Sequence, residues 1–159
     1  YEGKPFEEET YNKHRYQLIE YANATFPEDF AKKVEGMLKH GNEYSLNKRL
    51  KQIINNLDQN SKFSLIGNSA NRERFIQQLV DTRNYLTHYD KAEKSNLLET
   101  LSERFYAVQR LKAIATLTIA KELGVEENLM LEILENNPRY QVVLREAKKF
   151  LNKKPKVTQ

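Results

Sequence analysis

The chain has 159 residues, enough for one domain with a hydrophobic core, and 39% hydrophobic with 30% charged residues is typical of a globular protein. It contains no cysteine, which excludes disulfides, thiolate catalysis and cysteine-bound zinc or iron–sulfur clusters. The net charge of +4 favours a polyanionic partner only mildly, since ordinary variation in surface charge explains it equally well.

The same features predict the setting and the organisation of the protein. No apolar run approaches membrane-spanning length, so we expect no membrane association, and the lack of cysteine fits the cytoplasmic location that we predict. The first residue is Tyr1 rather than Met, and we interpret the sequence as the C-terminal part of a longer protein. We expect one domain over residues 1–152, with a motif-bearing core at 68–151 and a basic tail at 153–159.

Helical periodicity runs through the first half of the sequence, where no stretch alternates apolar and polar residues over the length of a strand. Three helices are predicted, over residues 7–24, from Pro27 to Gly41, and from Ser45, which is the expected cap, to Leu57. Residues 58–67 are interpreted as a connection, with Phe63, Leu65 and Ile66 packed beneath it.

The second half is more strongly patterned. A helix capped by Asn68 or Ser69 is predicted to end just after His88, with Leu86 closing its apolar stripe. A capping box at residues 90–93, with Ser95 as the competing cap, predicts the start of a long helix that Gly124 ends. Its apolar stripe is predicted to comprise Leu97, Leu101, Phe105, Val108, Leu111, Ala115 and Ile119. Two shorter helices are predicted over 126–135 and 138–151, so we expect an all-α antiparallel helical bundle of about six to seven helices.

The chemistry of the chain concentrates in the segment from Arg83 to His88, which holds a permanent cation, an amide and an imidazole. These groups suit a phosphodiester of RNA, which carries its own nucleophile in the 2′-hydroxyl. Histidine titrates near neutral pH and can move the protons, arginine matches phosphate oxygens, and the Asn84 amide can orient either group. The remaining histidines, His14 and His40, lie far away, and no phosphate loop or nucleophile elbow is present, so we predict neither a metal nor a cofactor.

Helix geometry makes a site within one copy of this segment difficult. On a regular helix Asn84 and His88 lie about 40° apart, whereas Arg83 and His88 lie about 140° apart. Either the helix unwinds near Thr87, or two copies related by a twofold axis bring their motifs into one composite cleft. By itself the spacing also fits ordinary surface residues, because an Arg and a His at this separation often occur by chance.

The pattern Arg83-Asn84-x-x-x-His88 in an all-helical chain resembles the signature of HEPN domains, in which Arg and a polar residue precede a His. The run from Leu79 to Asp90 (LVDTRNYLTHYD) is similar to the ApeA-like branch, whose domain commonly closes a longer bacterial defence protein. This resemblance is clear over about residues 68–151 and loose before them. It implies a homodimer with a composite site and a metal-independent endoribonuclease that leaves a 2′,3′-cyclic phosphate and a 5′-hydroxyl.

By the same resemblance, Arg83 and His88 are the catalytic pair and Asn84 is their polar helper. Weaker candidates surround the motif. Tyr85 and Tyr89 are candidates for stacking on unpaired bases, although packing in the core or dimer interface explains Tyr85 equally well. Arg72, Arg74 and Lys91 are candidates for holding flanking phosphates, with surface solubility as the simpler explanation.

We therefore expect an RNA-cleaving dimer that acts in antiphage defence or a stress response, with tRNA among its candidate substrates. The alternative is a non-catalytic helical module that dimerises or binds RNA or protein. A third hypothesis is a purely structural helical domain, in which Arg83 and His88 pair with unrelated groups.

Overall fold

The structure, a computed structural model, describes residues 4–88 and 97–151, without the side chains of His88, Lys148, Phe150 and Leu151. All regular elements within these ranges are helices, so the predicted all-α class is confirmed. The described residues form α1 (Glu8–Thr25), α2 (Glu28–Lys39), α3 (Leu46–Asn55), α4 (Gln59–Leu65), α5 (Ser69–His88), α6 (Leu101–Glu122), α7 (Glu127–Asn136) and α8 (Pro138–Leu151). These eight helices slightly exceed the predicted number.

The chain divides into two compact units, which we call unit 1 (residues 1–49) and unit 2 (residues 50–159). The predicted organisation as one domain over residues 1–152 stays a prediction. In unit 1, α1 packs against α2, and the small buried side chains of Ala22 and Ala31 serve that packing. Ser45 caps the next helix as predicted, because its Oγ accepts a hydrogen bond from the Lys48 N–H (3.3 Å).

The segment 58–67, predicted to be a connection, contains the short helix α4 instead. Leu65 and Ile66 are buried as expected, but Phe63 is exposed. Seven residues span barely two turns, so their apolar positions show too little periodicity to reveal a helix in the sequence. Gly67 follows with a φ of +98°, a left-handed conformation that favours glycine after a helix.

The core of unit 2 draws on every helix from the end of α3 to α8. Its buried side chains larger than alanine are Ile54, Leu57, Leu65, Ile66, Phe75, Ile76, Leu98, Ile114, Leu117, Leu131, Leu134 and Leu144. The helix α6 packs against α4, α7 and α8, and α7 also packs against α8. Because it contacts all three of these helices, α6 lies at the centre of this group.

The start of α6 differs from the prediction. The predicted caps at residues 90–93 and at Ser95 lie outside the described residues, and Leu97 precedes the helix. The described helix begins with a capping box in which the Glu103 N–H donates to Thr100 Oγ1 (3.1 Å) and the Thr100 N–H donates to Glu103 Oε2 (3.0 Å). The Thr-x-x-Glu pattern is visible in the sequence, but the similar pattern at residues 90–93 comes earlier in the chain and predicted an earlier start.

Most of the apolar stripe predicted for α6 is in helical register but faces away from the core. Leu101, Phe105, Val108, Ala115 and Ile119 are exposed, and only Leu111 packs against the core. The opposite face is buried and consists of Ala107, Arg110, Ala113, Ile114, Leu117 and Ala120. Alanines bring the helix backbone close to its neighbours, and a sequence pattern weighted toward large apolar residues does not favour them. The helix therefore has two apolar faces, of which one is unpartnered in the described part of the chain.

A buried arginine joins three helices of unit 2. Arg110 is only 3% exposed, its Nη2 donates to the Ala147 carbonyl oxygen in α8 (2.7 Å), and its guanidinium lies 5.0 Å from the ring centroid of Phe75 in α5. Burial lowers the pKa of Arg110 to about 10, so the group remains charged at neutral pH. The cation thus satisfies a carbonyl in the last part of α8, where the helix dipole favours positive charge.

A buried carboxylate joins α4, α6 and α7. Glu127 Oε1 accepts from the Asp58 N–H (2.7 Å), and Glu127 Oε2 accepts from Lys121 Nζ (3.0 Å). Burial raises the pKa of Glu127, but the hydrogen bonds that it accepts lower the pKa by a larger amount. The pKa of Glu127 therefore lies below the usual 4.5. The charged form is therefore the one that the fold favours.

We expect Glu127→Gln to lower the free energy of unfolding by about 1–3 kcal/mol at neutral pH, because charge-assisted hydrogen bonds to a buried group are lost. Since the pKa in the folded state is lowered, this contribution is complete above pH 4.5 and disappears as the pH falls through the folded-state pKa. The difference in the free energy of unfolding between wild type and variant, measured by urea denaturation, should therefore become smaller as the pH falls. Glu126→Gln, at an exposed neighbour without a side-chain cap bond, is the matched control. A constant difference from pH 7 to pH 3 would contradict this role.

Candidate functional site

The motif lies at the C-terminal end of α5, which runs unbroken from Ser69 to His88. Asn68 caps its start as predicted, since its Oδ1 accepts from the Asn71 N–H (2.9 Å). The predicted end just after His88 falls at the boundary of the described residues and stays a prediction. Phe75 and Ile76 anchor the helix in the core. Leu86, predicted to close the apolar stripe, is instead 51% exposed, because the described core does not reach the last turn of α5.

A buried hydrogen bond fixes the chain where it returns to α5 after the undescribed residues 89–96. The Leu98 N–H donates to Thr82 Oγ1 (2.9 Å), and both residues are buried. On the other side of the same residue, Arg104 Nε donates to the Leu98 carbonyl oxygen (2.8 Å). The backbone of Leu98 is therefore held from both sides, directly beside the residue that precedes Arg83.

Two of the three motif side chains are in contact. Arg83 is exposed, and its Nη1 donates to Asn84 Oδ1 (3.2 Å). The long arginine side chain thus bridges two positions that lie about 100° apart around the helix. The side chain of His88 lies outside what the structure describes, so its place in one site with Arg83 and Asn84 stays a prediction.

The helix remains regular through the motif. Thr87 Oγ1 donates to the Arg83 carbonyl oxygen (2.9 Å), a bond back to the preceding turn that a regular α-helix allows. Of the two solutions considered for the separation of Arg83 and His88, unwinding near Thr87 is therefore not the one found in this structure.

The weaker candidates are distributed unevenly. Tyr85 is 39% exposed and so is not a core residue of this chain, whereas Tyr89 and Lys91 lie outside the described residues. Arg72 donates to the Gly67 carbonyl oxygen (3.3 Å), and Arg74 donates to Asn71 Oδ1 (3.5 Å). These two arginines are engaged at the first turns of α5, more than two turns before the motif, so the structure does not bring them to it.

The described residues contain no group of three His, Asp or Glu side chains placed to hold a metal ion. None of the helices in residues 4–88 and 97–151 combines the length and apolar character that crossing a membrane requires. The described part of the site is thus a surface made of a guanidinium, an amide and an aromatic ring at the end of a helix.

An all-helical chain with an Arg-Asn-x-x-x-His motif at the end of a core helix has the class features of a HEPN domain. A family model described as Apea-like HEPN matches residues 1–129. The chain therefore belongs to the Apea-like HEPN family, and the match includes the N-terminal half, where the resemblance in the sequence was loose. No curated protein and no solved structure gave a significant match.

The residues that position the motif were not singled out in the sequence. Thr82 and Leu98 fix the return of the chain to α5, and Arg104 supports them. One signal was available: Thr82 stands on the apolar face of α5, in helical register with Phe75 and Leu79, and a hydroxyl on such a face needs a partner.

We expect Thr82→Val to lower the free energy of unfolding by about 1–3 kcal/mol, since it keeps the side-chain shape but leaves the buried Leu98 N–H without an acceptor. Hydrogen exchange at the Leu98 amide should accelerate. Thr116→Val is the matched control, because the Thr116 hydroxyl bonds only to a carbonyl of its own helix. Equal stability and exchange in the two variants would show that the Thr82 contact does not hold the segment.

Proposed function

We propose that the protein is a metal-independent endoribonuclease that acts as a homodimer, with Arg83, Asn84 and His88 in its active site. Membership of the Apea-like HEPN family together with an intact Arg-Asn-x-x-x-His motif carries this proposal. The exposure of Arg83 and its contact with Asn84 support it, because a cation that binds a phosphodiester must be accessible. A role in antiphage defence or a stress response, on RNA such as tRNA, belongs to the same proposal.

The proposed reaction is transesterification within RNA. The 2′-hydroxyl loses its proton and attacks the adjacent phosphorus, the bond to the 5′-oxygen breaks, and that oxygen takes up a proton. His88 serves a proton-transfer step, and Arg83 stabilises the charge on the phosphorane oxygens. Asn84, through its contact with Arg83, holds the guanidinium in place for the phosphate. The products are a 2′,3′-cyclic phosphate and a 5′-hydroxyl.

The helix geometry supports a dimer. Because α5 is regular through Thr87, positions 83 and 88 lie about 140° apart around the ideal helix, and a second copy would offer the missing group. Exposed apolar side chains near the motif end of α5 support such an interface. Tyr85 and Leu86 lie in the motif itself, and Leu101, 84% exposed, begins α6 three residues after the Leu98 contact.

We expect the purified protein to cleave RNA in excess EDTA, and Arg83→Ala or His88→Ala to reduce the rate by at least about 100-fold, because each removes a transition-state contact or a proton-transfer group. Arg139→Ala and His14→Ala, at exposed positions on other helices, are matched controls. The readouts are gel-resolved cleavage and the 5′-hydroxyl ends of the products.

The substrate and the metal dependence provide further controls. A single 2′-deoxy substitution at the cut site should block cleavage there, since the internal nucleophile is gone. Cutting that survives in the Arg83 and His88 variants would refute the site, and inhibition by EDTA would refute the metal-free mechanism. RNA binding without cleavage at high protein concentration would favour the non-catalytic module.

For the dimer, we expect Leu101→Asp to raise the dissociation constant at least about tenfold. A tenfold change corresponds to about 1.4 kcal/mol, and a leucine that becomes buried in the interface contributes at least that much. Leu123→Asp is the matched control, since Leu123 is also exposed (77%) but lies at the far end of α6. Sedimentation velocity measures both. Equal effects, or none, would contradict an interface near the motif.

A mixing experiment tests whether the site is composite. If Arg83 and His88 act across the interface, an equal mixture of Arg83→Ala and His88→Ala proteins forms mixed dimers with one complete set of groups. Cleavage should then be partly restored. An inactive mixture that sedimentation shows to contain mixed dimers would instead place both groups of one site on the same copy.

A further inference from the structure

Unit 1 contains a cavity of 140 Å³ lined by charged and polar side chains, which we call the polar cleft. Its charged lining residues are Lys4, Glu8, Arg15, Lys39 and Glu43, and Asn12 lines it beside them. They come from the segment before α1, from α1, from the end of α2 and from the loop before α3. None of them belongs to unit 2, which carries the motif.

Hydrogen bonds hold the walls of the polar cleft in place. Tyr11 Oη donates to the Leu38 carbonyl oxygen (2.6 Å), which ties α1 to the end of α2. The amide of the buried Asn42 exchanges two 3.0 Å hydrogen bonds with the backbone of Phe6, which ties the loop to the segment before α1. A Cβ at Gly41 would collide with the Tyr11 hydroxyl, so this close approach requires glycine. Contacts within the chain therefore hold the walls of the cleft.

Both carboxylates of the polar cleft are paired with other cations. Glu8 pairs with Lys4. Glu43 contacts His40 Nδ1 (2.8 Å) and Arg49 Nη2 (3.3 Å), and the hydrogen bond to His40 is the main reason why the pKa of Glu43 is lowered. The negative charges of Glu8 and Glu43 are thus compensated by cations other than the two that remain in the lining of the cleft.

Arg15 and Lys39 are those two cations. Arg15 Nε is buried without a hydrogen-bond partner, and Lys39 has no ion-pair or hydrogen-bond partner among the described residues. A buried donor without an acceptor is unfavourable by about 1–3 kcal/mol unless water or a ligand satisfies it. The cavity is large enough for about four waters, and equally for one tetrahedral anion.

We propose that the polar cleft binds the phosphate of a phosphomonoester. The two unpaired cations match the charge of about −1.5 to −2 that a phosphomonoester carries at neutral pH. The Arg15 guanidinium provides a planar pair of donors, the Lys39 ammonium adds a point charge, and the Asn12 amide adds a neutral donor for a further oxygen. A single carboxylate would leave part of this donor set unused.

The surroundings of the cleft leave room for the group that carries the phosphate. An open cavity of 790 Å³ shares Lys4, Glu8 and Glu43 with the polar cleft and exposes the ring of Phe6 on its wall. Aromatic rings stack on nucleobases, so a nucleotide fits this combination. Both a free mononucleotide and the 5′ end of an RNA present the same chemistry. The proposal does not rest on RNA cleavage and is tested by binding alone.

Isothermal titration calorimetry of the intact protein at low salt tests the ligand. We expect AMP to bind and adenosine not to bind, because the phosphate supplies the recognition. A fully 2′-O-methylated oligonucleotide with and without a 5′-phosphate distinguishes the two sources. Binding of AMP identifies a free nucleotide as sufficient, and binding of the phosphorylated oligonucleotide alone identifies an RNA end. If neither phosphorylated ligand binds, or if adenosine binds as well as AMP, the proposal is wrong.

Variants locate the binding. Arg15→Gln and Lys39→Gln should each weaken binding at least about tenfold, since each removes a charge-assisted hydrogen bond to the phosphate. Lys13→Gln and Lys33→Gln, at exposed positions on the same two helices, should leave the affinity unchanged. Lys39 is exposed, so its substitution keeps the test valid even if Arg15→Gln unfolds the protein in a thermal melt. Wild-type affinity in the Lys39 variant, or equal losses in the controls, would overturn the proposed site.

Discussion

Close packing along one face of α6 organises unit 2. This face is built from alanines, two larger apolar side chains and Arg110, and it meets α4, α7 and α8. Small side chains let helices approach closely, which increases dispersion contacts over the whole length of the face. Arg110 then links this face to Phe75 in α5 and to a carbonyl of α8. Arg110 thus adds a contact among α5, α6 and α8 to the burial of Phe75 and Ile76 in the core.

The sequence predicted the helical class, most helix bounds and the place of the motif. These successes came from strong local signals: Asn68 and Ser45 as caps, Pro138 at the start of α8, and the apolar anchors Phe75 and Ile76. Such signals act within one or two turns, so a single sequence is enough to read them.

The failures came from tertiary packing. The helix α4 was missed because it is short, and its start is stabilised by Glu127, a residue far along the chain. For α6 the sequence showed the apolar stripe but not which face is buried, because burial depends on which partner helices are present and not on which side chains are largest. Thr82 was overlooked for the same reason, since its partner Leu98 becomes apparent only once the chain has folded back. The polar cleft also depends on contacts between separate segments, and no sequence motif announced it.

The outward face of α6 restricts how two copies of this helix can meet. Along an arc of about 80° it presents Leu101, Phe105, Val108, Ala115 and Ile119, but the exposed Lys112 interrupts them near the middle. Two antiparallel copies crossing at this point would set one ammonium group against the other in an apolar seam, which is unfavourable. A shifted register that keeps Lys112 at the rim avoids this repulsion. One lysine therefore selects against a centred helix pair and favours association at an end of α6.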